Sequence, residues 1–278
     1  MRFALINDKS TEAMPGLVNA VCPGCGAPVI AKCGTQKVHH WAHQNMRMCD
    51  RWWETETEWH RAWKNKFPFE WQEIFLPDEQ TGEKHIADVR TEHGLVIEFQ
   101  HSFINPDERT SREKFYKNMV WVVDGTRLTR DFPRFVKGGK FGSTELKPGI
   151  KHVEFADDFF PGNWLKSSVP VVFDFLGLDD PDSADYIRNT LYCLFPSHDE
   201  YNAVFAEIPR KAFIKTALNG EWSERVRVFM DAMEEEYREK ETQRKESLRM
   251  QQGGYYKKSH VRYIYPHKIK YTRRKRRF

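Results

Sequence analysis

Two groups of side chains in this sequence are spaced for chemistry. The first is Cys22-Pro23-Gly24-Cys25, followed by Cys33, His39, His40, His43 and Cys49. Two thiolates two residues apart can grip one tetrahedral ion, with Gly24 easing the turn, and two further ligands complete the site. The spacing leaves two sets open: Cys22, Cys25, His40 and His43, or Cys22, Cys25, His43 and Cys49. Only Cys193 lies outside this stretch, so clustered thiols beside histidines point to structural Zn²⁺ rather than to a disulfide framework. The second group is a carboxylate pair, Asp88 and Glu98. Strands over 84–91 and 95–100, joined by the tight turn Glu92-His93-Gly94, bring the two acids side by side. Neighbouring carboxylates repel unless a cation lies between them, and a hard ion such as Mg²⁺ or Mn²⁺, bound also by waters and phosphate oxygens, answers that need.

These residues need elements to hold them. A helix is expected over 52–67, with Trp52, Trp59, Trp63 and Phe67 on its buried face and Glu56, His60 and Lys64 at i, i+4 and i+8 along its edge. A strand follows over 71–76. Along 95–100, Leu95, Ile97 and Phe99 share one face, and Val96, Glu98 and Gln100 share the other; one face is core and the other presents the carboxylate. Asn105-Pro106-Asp107-Glu108 reads as a capped helix start, and on that helix Arg109, Arg112 and Tyr116 fall at i, i+3 and i+7. Residues 119–123 are an apolar run typical of a buried strand, ended by Asp124-Gly125. The polar stripe and the arginine pair also read as solvated helix surface.

Composition divides the chain into a zinc-binding segment (1–50), a core (51–135), an α/β and helical region (150–250) and a basic aromatic tail (251–278). The Gly-rich stretch 136–149 reads as a linker or exposed loop. Apolar segments at 171–176 and 192–195 suggest a second small α/β unit without catalytic signature, with Cys193 a packed thiol. Residues 221–250 have high helix propensity, and the tail is expected to begin after Gly253-Gly254. The formal net charge of +4 conceals an asymmetry. Residues 255–278 hold ten Lys/Arg and no Asp/Glu, leaving 34 basic against 40 acidic residues before them. In the tail, Lys257, Lys258, Arg262 and Arg273-Arg274-Lys275-Arg276-Arg277 interleave with tyrosines, a recipe for sequence-tolerant nucleic-acid binding by charge and stacking.

The order Glu56-Thr57-x-x-His60-x-x-x-Lys64, Ile86-Ala87-Asp88, Ile97-Glu98-Phe99-Gln100-x-Ser102, Arg112-x-x-x-Tyr116 and Val120-Trp121-Val122-Val123-Asp124-Gly125 resembles the competence protein CoiA-like family over about residues 20–126. The resemblance implies a restriction-endonuclease-like PD-(D/E)XK core and metal-dependent DNA hydrolysis. It implies Asp88 and Glu98 as Mg²⁺ ligands, Glu56 as the acidic residue of the first helix, and Gln100 where most of that superfamily has lysine. It also favours Cys49 over His40 as the remaining zinc ligand. Ala87 stands where proline precedes the aspartate elsewhere. Position suggests a proton shuttle for His60 and nucleic-acid contacts for Lys64, Arg109, Arg112 and Tyr116, with Lys64 or Arg112 holding a phosphate.

The expectation is therefore an α/β protein with a restriction-endonuclease-like mixed sheet flanked by helices, acting as a divalent-metal-dependent DNA endonuclease in recombination, DNA uptake or defence against foreign DNA. A catalytically degenerate nucleic-acid-binding module or scaffold is the second reading. Expected partners are duplex, single-stranded or branched DNA, with a homodimer compatible with duplex cleavage and a recombination or defence protein as a further partner. No run of eighteen apolar residues and no signal peptide is evident, so no membrane partner is expected, and the expected location is the cytoplasm, at the nucleoid when DNA is bound.

Overall fold

The computed structural model describes residues 1–258 apart from 45–48, 53, 80–81, 142, 183 and 198–200. Met1–Val226 form one unit and Arg227–Phe278 a second. The first unit opens with a small antiparallel sheet of β1 (Phe3–Ile6), β2 (Lys9–Glu12), β3 (Ala20–Val21), β4 (Pro28–Lys32) and β5 (His40–His43), in the order β2-β1-β3-β4-β5. It closes over Ala4, Ala20, Cys22, Val29 and Trp41. The zinc-spaced residues thus sit on a sheet with its own small core.

Then come α1 (Glu58–Lys64), β6 (Gln72–Pro77), β7 (Lys84–Arg90), β8 (Val96–Gln100), α2 (Pro106–Tyr116), β9 (Met119–Asp124), α3 (Asp131–Phe141), β10 (Ser143–Lys147) and β11 (Ile150–Glu154). They are followed by β12 (Val171–Asp174), α4 (Tyr186–Asn189), β13 (Thr190–Leu194), β14 (Asn202–Pro209), α5 (Arg210–Leu218) and α6 (Glu221–Lys258). Nine strands make one mixed sheet, β10-β11-β14-β13-β12-β9-β8-β7-β6. β8 and β9 are parallel, joined by the α2 crossover, and β12 lies parallel on the far side of β9.

Several expectations are corrected. The first helix is shorter than 52–67 because Thr57, with an extended backbone, caps it in a reciprocal box with His60. Trp52 and Glu56 therefore precede the helix. Trp52 stacks on His85 at 3.4 Å between ring centroids and meets Phe115 and Tyr116 edge-on. Trp59, Trp63 and Phe67 do share a target, the ring of Phe99. Every residue of β8 is buried, so neither face is open to solvent: α1 and α2 cover the strand from the two sides, as parallel connections require. The linker expected over 136–149 is helix α3 and the β10 strand, and the sheet continues from β9 to β12 without interruption. Phe132 and Phe135 of α3 pack on Phe175, and this packing holds the helix despite Gly138 and Gly139. α6 runs to Lys258, through Gly253 and Gly254; a glycine costs a helix about 1 kcal/mol, which weakens it without terminating it.

α1 is fixed to the sheet by one carboxylate. Asp174, wholly buried at the end of β12, accepts Trp59 Nε1 at 3.0 Å, Trp63 Nε1 at 2.8 Å and an Arg210 guanidinium nitrogen at 2.6 Å. α2 is held similarly: Glu113 accepts Trp121 Nε1 and the hydroxyls of Ser167 and Ser168. The described part of the second unit is a polar helix whose exposed face carries i, i+4 pairs such as Arg227–Asp231 and Lys245–Glu241. Among the described residues no helix is long and apolar enough to cross a membrane. Replacing Asp174 by alanine strands a buried guanidinium and two indole N–H groups, so stability in urea titrations should fall by about 3–5 kcal/mol.

Candidate functional site

The cleft forms where two strands part. The ladder between β7 and β8 runs through Arg90↔Val96 and Val89↔Ile97. One residue further on, side chains replace backbone: the Asp88 amide donates to Glu98 Oε1 at 3.2 Å, and the Phe99 amide donates to Asp88 Oδ2 at 3.0 Å. The strands splay around their own carboxylates, bringing Asp88 and Glu98 together as the hairpin predicted. The resulting cavity, ≈ 50 Å³, is lined by Asp50, Trp52, Glu54, Glu56, His60, Lys64, Glu73, Asp88, Glu98 and Arg112 among others. At roughly 10–15 Å³ per water it has room for an ion with a few waters.

Six carboxylates face a few cations here. Lys64, buried, lies 2.9 Å from Asp88 Oδ1, 3.2 Å from Glu73 Oε1 and 3.4 Å from Glu56 Oε1. Burial opposes its charge, but the three acids outweigh burial and hold the ammonium well above its usual pKa. Burial likewise works against ionised Glu73, yet Lys64 and the Arg2 and Phe3 amides bring it down to about 2. Glu98 goes the other way. Burial, then repulsion from Asp88, push it up to about 8, against the pull of Arg112 at 2.9 Å.

Glu56 reaches Lys64 from the segment before α1 and also pairs with Arg61 at 2.5 Å. His60 and Lys64 do lie on α1, facing the cleft. The Thr57 amide donates to His60 Nδ1 at 3.3 Å, so the neutral ring carries its proton on Nε2, which faces Glu54 at 4.0 Å. Burial pushes the imidazole pKa down. Gln100 donates from Nε2 to Glu54 at 2.6 Å, and its buried Oε1 has no partner among the described residues. Arg112 lines the cleft, but its guanidinium is divided between Glu98, Glu108 and the Trp52 carbonyl. The nucleic-acid contacts expected of Arg109 and Tyr116 are corrected, because both side chains are buried. Arg109 is buried, pairs with Glu113 and donates to the carbonyls of Asn163 and Lys166. Tyr116 packs against Trp52 and Phe115 inside the core. The expected tail contacts Arg262, Arg273, Arg274, Lys275, Arg276 and Arg277, and the side chains of Lys257 and Lys258, lie outside the described residues.

Glu54, Glu73 and Asp50 were not singled out by sequence. Asp50 accepts the Ile86 amide at 2.8 Å and lies 3.2 Å from His85 Nδ1. Glu73 owes its place to a left-handed backbone, φ 51°, inside β6 and to an N-terminal segment 71 residues away. Neither leaves a local pattern. Glu54 is three residues ahead of the Thr57 cap, a signal that a shorter helix would have exposed.

The cysteine cluster is a separate site. In the β3–β4 turn the Gly26 amide donates to the Cys22 carbonyl at 2.8 Å, presenting both thiols of the pair. Cys22 Sγ lies 3.6 Å from Cys49 Sγ, and Cys25 Sγ lies 3.3 Å from His43 Nε2. All four ligand atoms fall within 4.8 Å of one another. The hydrogen bond between Cys22 and Cys49 brings the Cys22 thiol down to about 4 and pushes that of Cys49 up. This Cys3His set can hold zinc. His40 is not in the cluster, its Nδ1 lying 2.9 Å from the Val38 carbonyl. A side chain at Gly24 would overlap the Phe75 ring of β6, so the turn rests directly on the main sheet's edge.

This segment has a relative. Residues 7–51 match the family model of the competence protein CoiA N-terminal domain. The match covers all four clustered ligands and supports the CoiA-like resemblance; Glu56, Asp88 and Glu98 lie beyond it. No curated protein and no solved structure matches the chain. Elemental analysis of purified protein should find about one zinc per chain, retained in His40→Ala and Cys33→Ser and lost in Cys25→Ser and His43→Ala.

Proposed function

We propose that the chain is a divalent-metal-dependent deoxyribonuclease of the PD-(D/E)XK type, with Asp88 and Glu98 as the metal-binding pair. The observation that carries this reading is the splayed β7–β8 hairpin, which aims two carboxylates into a cavity of ion-and-water size. The donor set fits a hard cation: both ligands are oxygen, on neighbouring strands, and a cation would replace the Lys64 contact at Asp88 and the proton at Glu98. Bound Mg²⁺ or Mn²⁺ would polarise the scissile phosphate and lower the pKa of the attacking water.

The chain's own groups have definable parts in this reaction. Glu54 fixes the Gln100 amide by its Nε2, leaving Oε1 to accept a proton of the attacking water and orient it. Gln100 supplies no charge, so Lys64 is the buried cation nearest Asp88. His60, with Nε2–H toward the cleft, donates a hydrogen bond to a phosphoryl oxygen. The CoiA N-terminal match supports a competence-related role, in which such an enzyme would act on incoming or recombining DNA. The zinc-spaced segment braces the cleft from below: Glu73 accepts the Arg2 and Phe3 amides while facing Lys64.

The binding-module reading draws on Lys64, which already neutralises Asp88. If Mg²⁺ does not displace that contact, the chain holds DNA without cutting it. Supercoiled plasmid, single-stranded DNA and a four-way junction, each incubated with and without Mg²⁺ or Mn²⁺, separate the two. Cutting that requires the ion and drops at least about 100-fold in Glu98→Ala and Asp88→Asn supports the nuclease. Equal binding by wild type and Glu98→Ala with no cutting by either supports the module. A second expectation concerns pH. Metal must displace the Glu98 proton below about pH 8, so calorimetric Mg²⁺ affinity should rise roughly tenfold per unit up to that point and flatten above it.

A further inference from the structure

At the end of β8, beside the cleft, stands an imidazole with no part in the roles above. The parallel register pairs Gln100 with Val123, which sets His101 next to Asp124 at the end of β9. His101 Nδ1 lies 2.8 Å from Asp124 Oδ2. Asp124 is itself held, its Oδ1 accepting the Thr126 amide at 2.9 Å and the Thr126 hydroxyl at 2.6 Å. The carboxylate is 4% exposed and the imidazole 34%. The ring therefore has a fixed orientation, and Nε2 is without a hydrogen-bond partner among the described residues. Its centroid lies 6.1 Å from that of His60, which lines the cleft.

The other cations of the cleft are engaged. Lys64 is shared by three carboxylates, and Arg112 by two carboxylates and a carbonyl. His60 is driven toward its neutral form by burial. His101 differs. The groups acting on it are Asp124 from β9, Glu54 from the segment before α1 and Arg127 beyond β9, with the His60 ring on α1 alongside; Asp124 dominates and raises its pKa. It is a partly exposed imidazole beside His60, and Asp124 favours its protonated form.

We propose that His101, oriented by Asp124, is the general acid that protonates the leaving oxygen of the scissile phosphodiester. This rests on the deoxyribonuclease reading. Water's oxygen forms the new bond to phosphorus, the P–O3′ bond breaks, and the departing oxygen takes the Nε2 proton as a 3′-hydroxyl. The proton lost by the attacking water passes to solvent, and solvent reprotonates Nε2. Asp124 is a positioning residue: it touches no substrate, accepts Nδ1–H, and by favouring the imidazolium keeps the second proton on the outward Nε2.

The test uses a short DNA carrying either the natural linkage or a 3′-bridging sulfur at the cut site, in Mn²⁺. A thiolate, with a pKa of roughly 8.5, leaves without a proton. His101→Gln should slow the oxygen linkage by about 100-fold or more while cutting the sulfur linkage within about threefold of wild type. In the metal-free protein, NMR titration should show the His101 imidazole titrating at lower pH in Asp124→Asn than in wild type. An equal loss on both linkages makes His101 structural and overturns the inference, as does full activity on the oxygen linkage. A wild type that cuts neither DNA overturns the deoxyribonuclease reading itself, and the inference with it.

Discussion

The cleft depends on a carboxylate that never touches it. Asp174 binds the indoles of Trp59 and Trp63, one helical turn apart, and so sets both the height and the rotation of α1 on the sheet. The residue after each tryptophan, His60 and Lys64, lies about 100° further round the helix. That angle carries both side chains off the tryptophan face and into the cavity. A seven-residue helix has little stability of its own, since isolated helices this short do not persist in water. Its register is borrowed from a strand in the second half of the chain. Arg210 completes the arrangement by pairing with the same carboxylate and covering the Trp63 ring at 5.1 Å.

Within the cleft the dominant constraint is charge. Acids from the segment before α1 and from β6, β7 and β8 converge, each held by its own partners. Asp50 is held by backbone and His85, Glu54 by Gln100 and the Ser102 amide, and Glu73 by Lys64 and the Arg2 amide. Glu98 is pushed up to about 8 by burial and then by the Asp88 carboxylate beside it, with Arg112 pulling the other way. Such a set is poised rather than satisfied: Lys64 balances Asp88 and a proton balances Glu98, and an added cation would compete with both.

Much of the core could be read from sequence, and for definite reasons. The β7–β8 turn at Gly94, the Asn105 cap and the apolar run of β9 are local signals, and each element formed within a residue or two of its expected place. The Asp88–Glu98 pairing followed from alternation across a hairpin, as did the metal spacing of Cys22 and Cys25 from turn geometry. What failed was long range. Trp52 fits a helical period with Trp59 and Trp63, yet Thr57 stops the helix, because a cap satisfied by His60 outranks periodicity. Arg109 has the spacing of a surface cation, and only the approach of 163–166 turns it inward. Glycines at 138 and 139 suggested a break that aromatic packing on Phe175 overrides.

The sheet also imposes an order in time. Trp59 and Trp63 precede their shared acceptor by 115 and 111 residues. At about 5–20 residues per second, synthesis leaves α1 without its anchor for on the order of 6 to 23 seconds. During that interval the carboxylates of β7 and β8 already exist, but nothing aligns His60 and Lys64 against them. A chain interrupted before residue 174 would carry every side chain that lines the cleft and still lack the means to assemble it. The fold thus makes completion of the half that lines no part of the cleft the condition for forming the half that does.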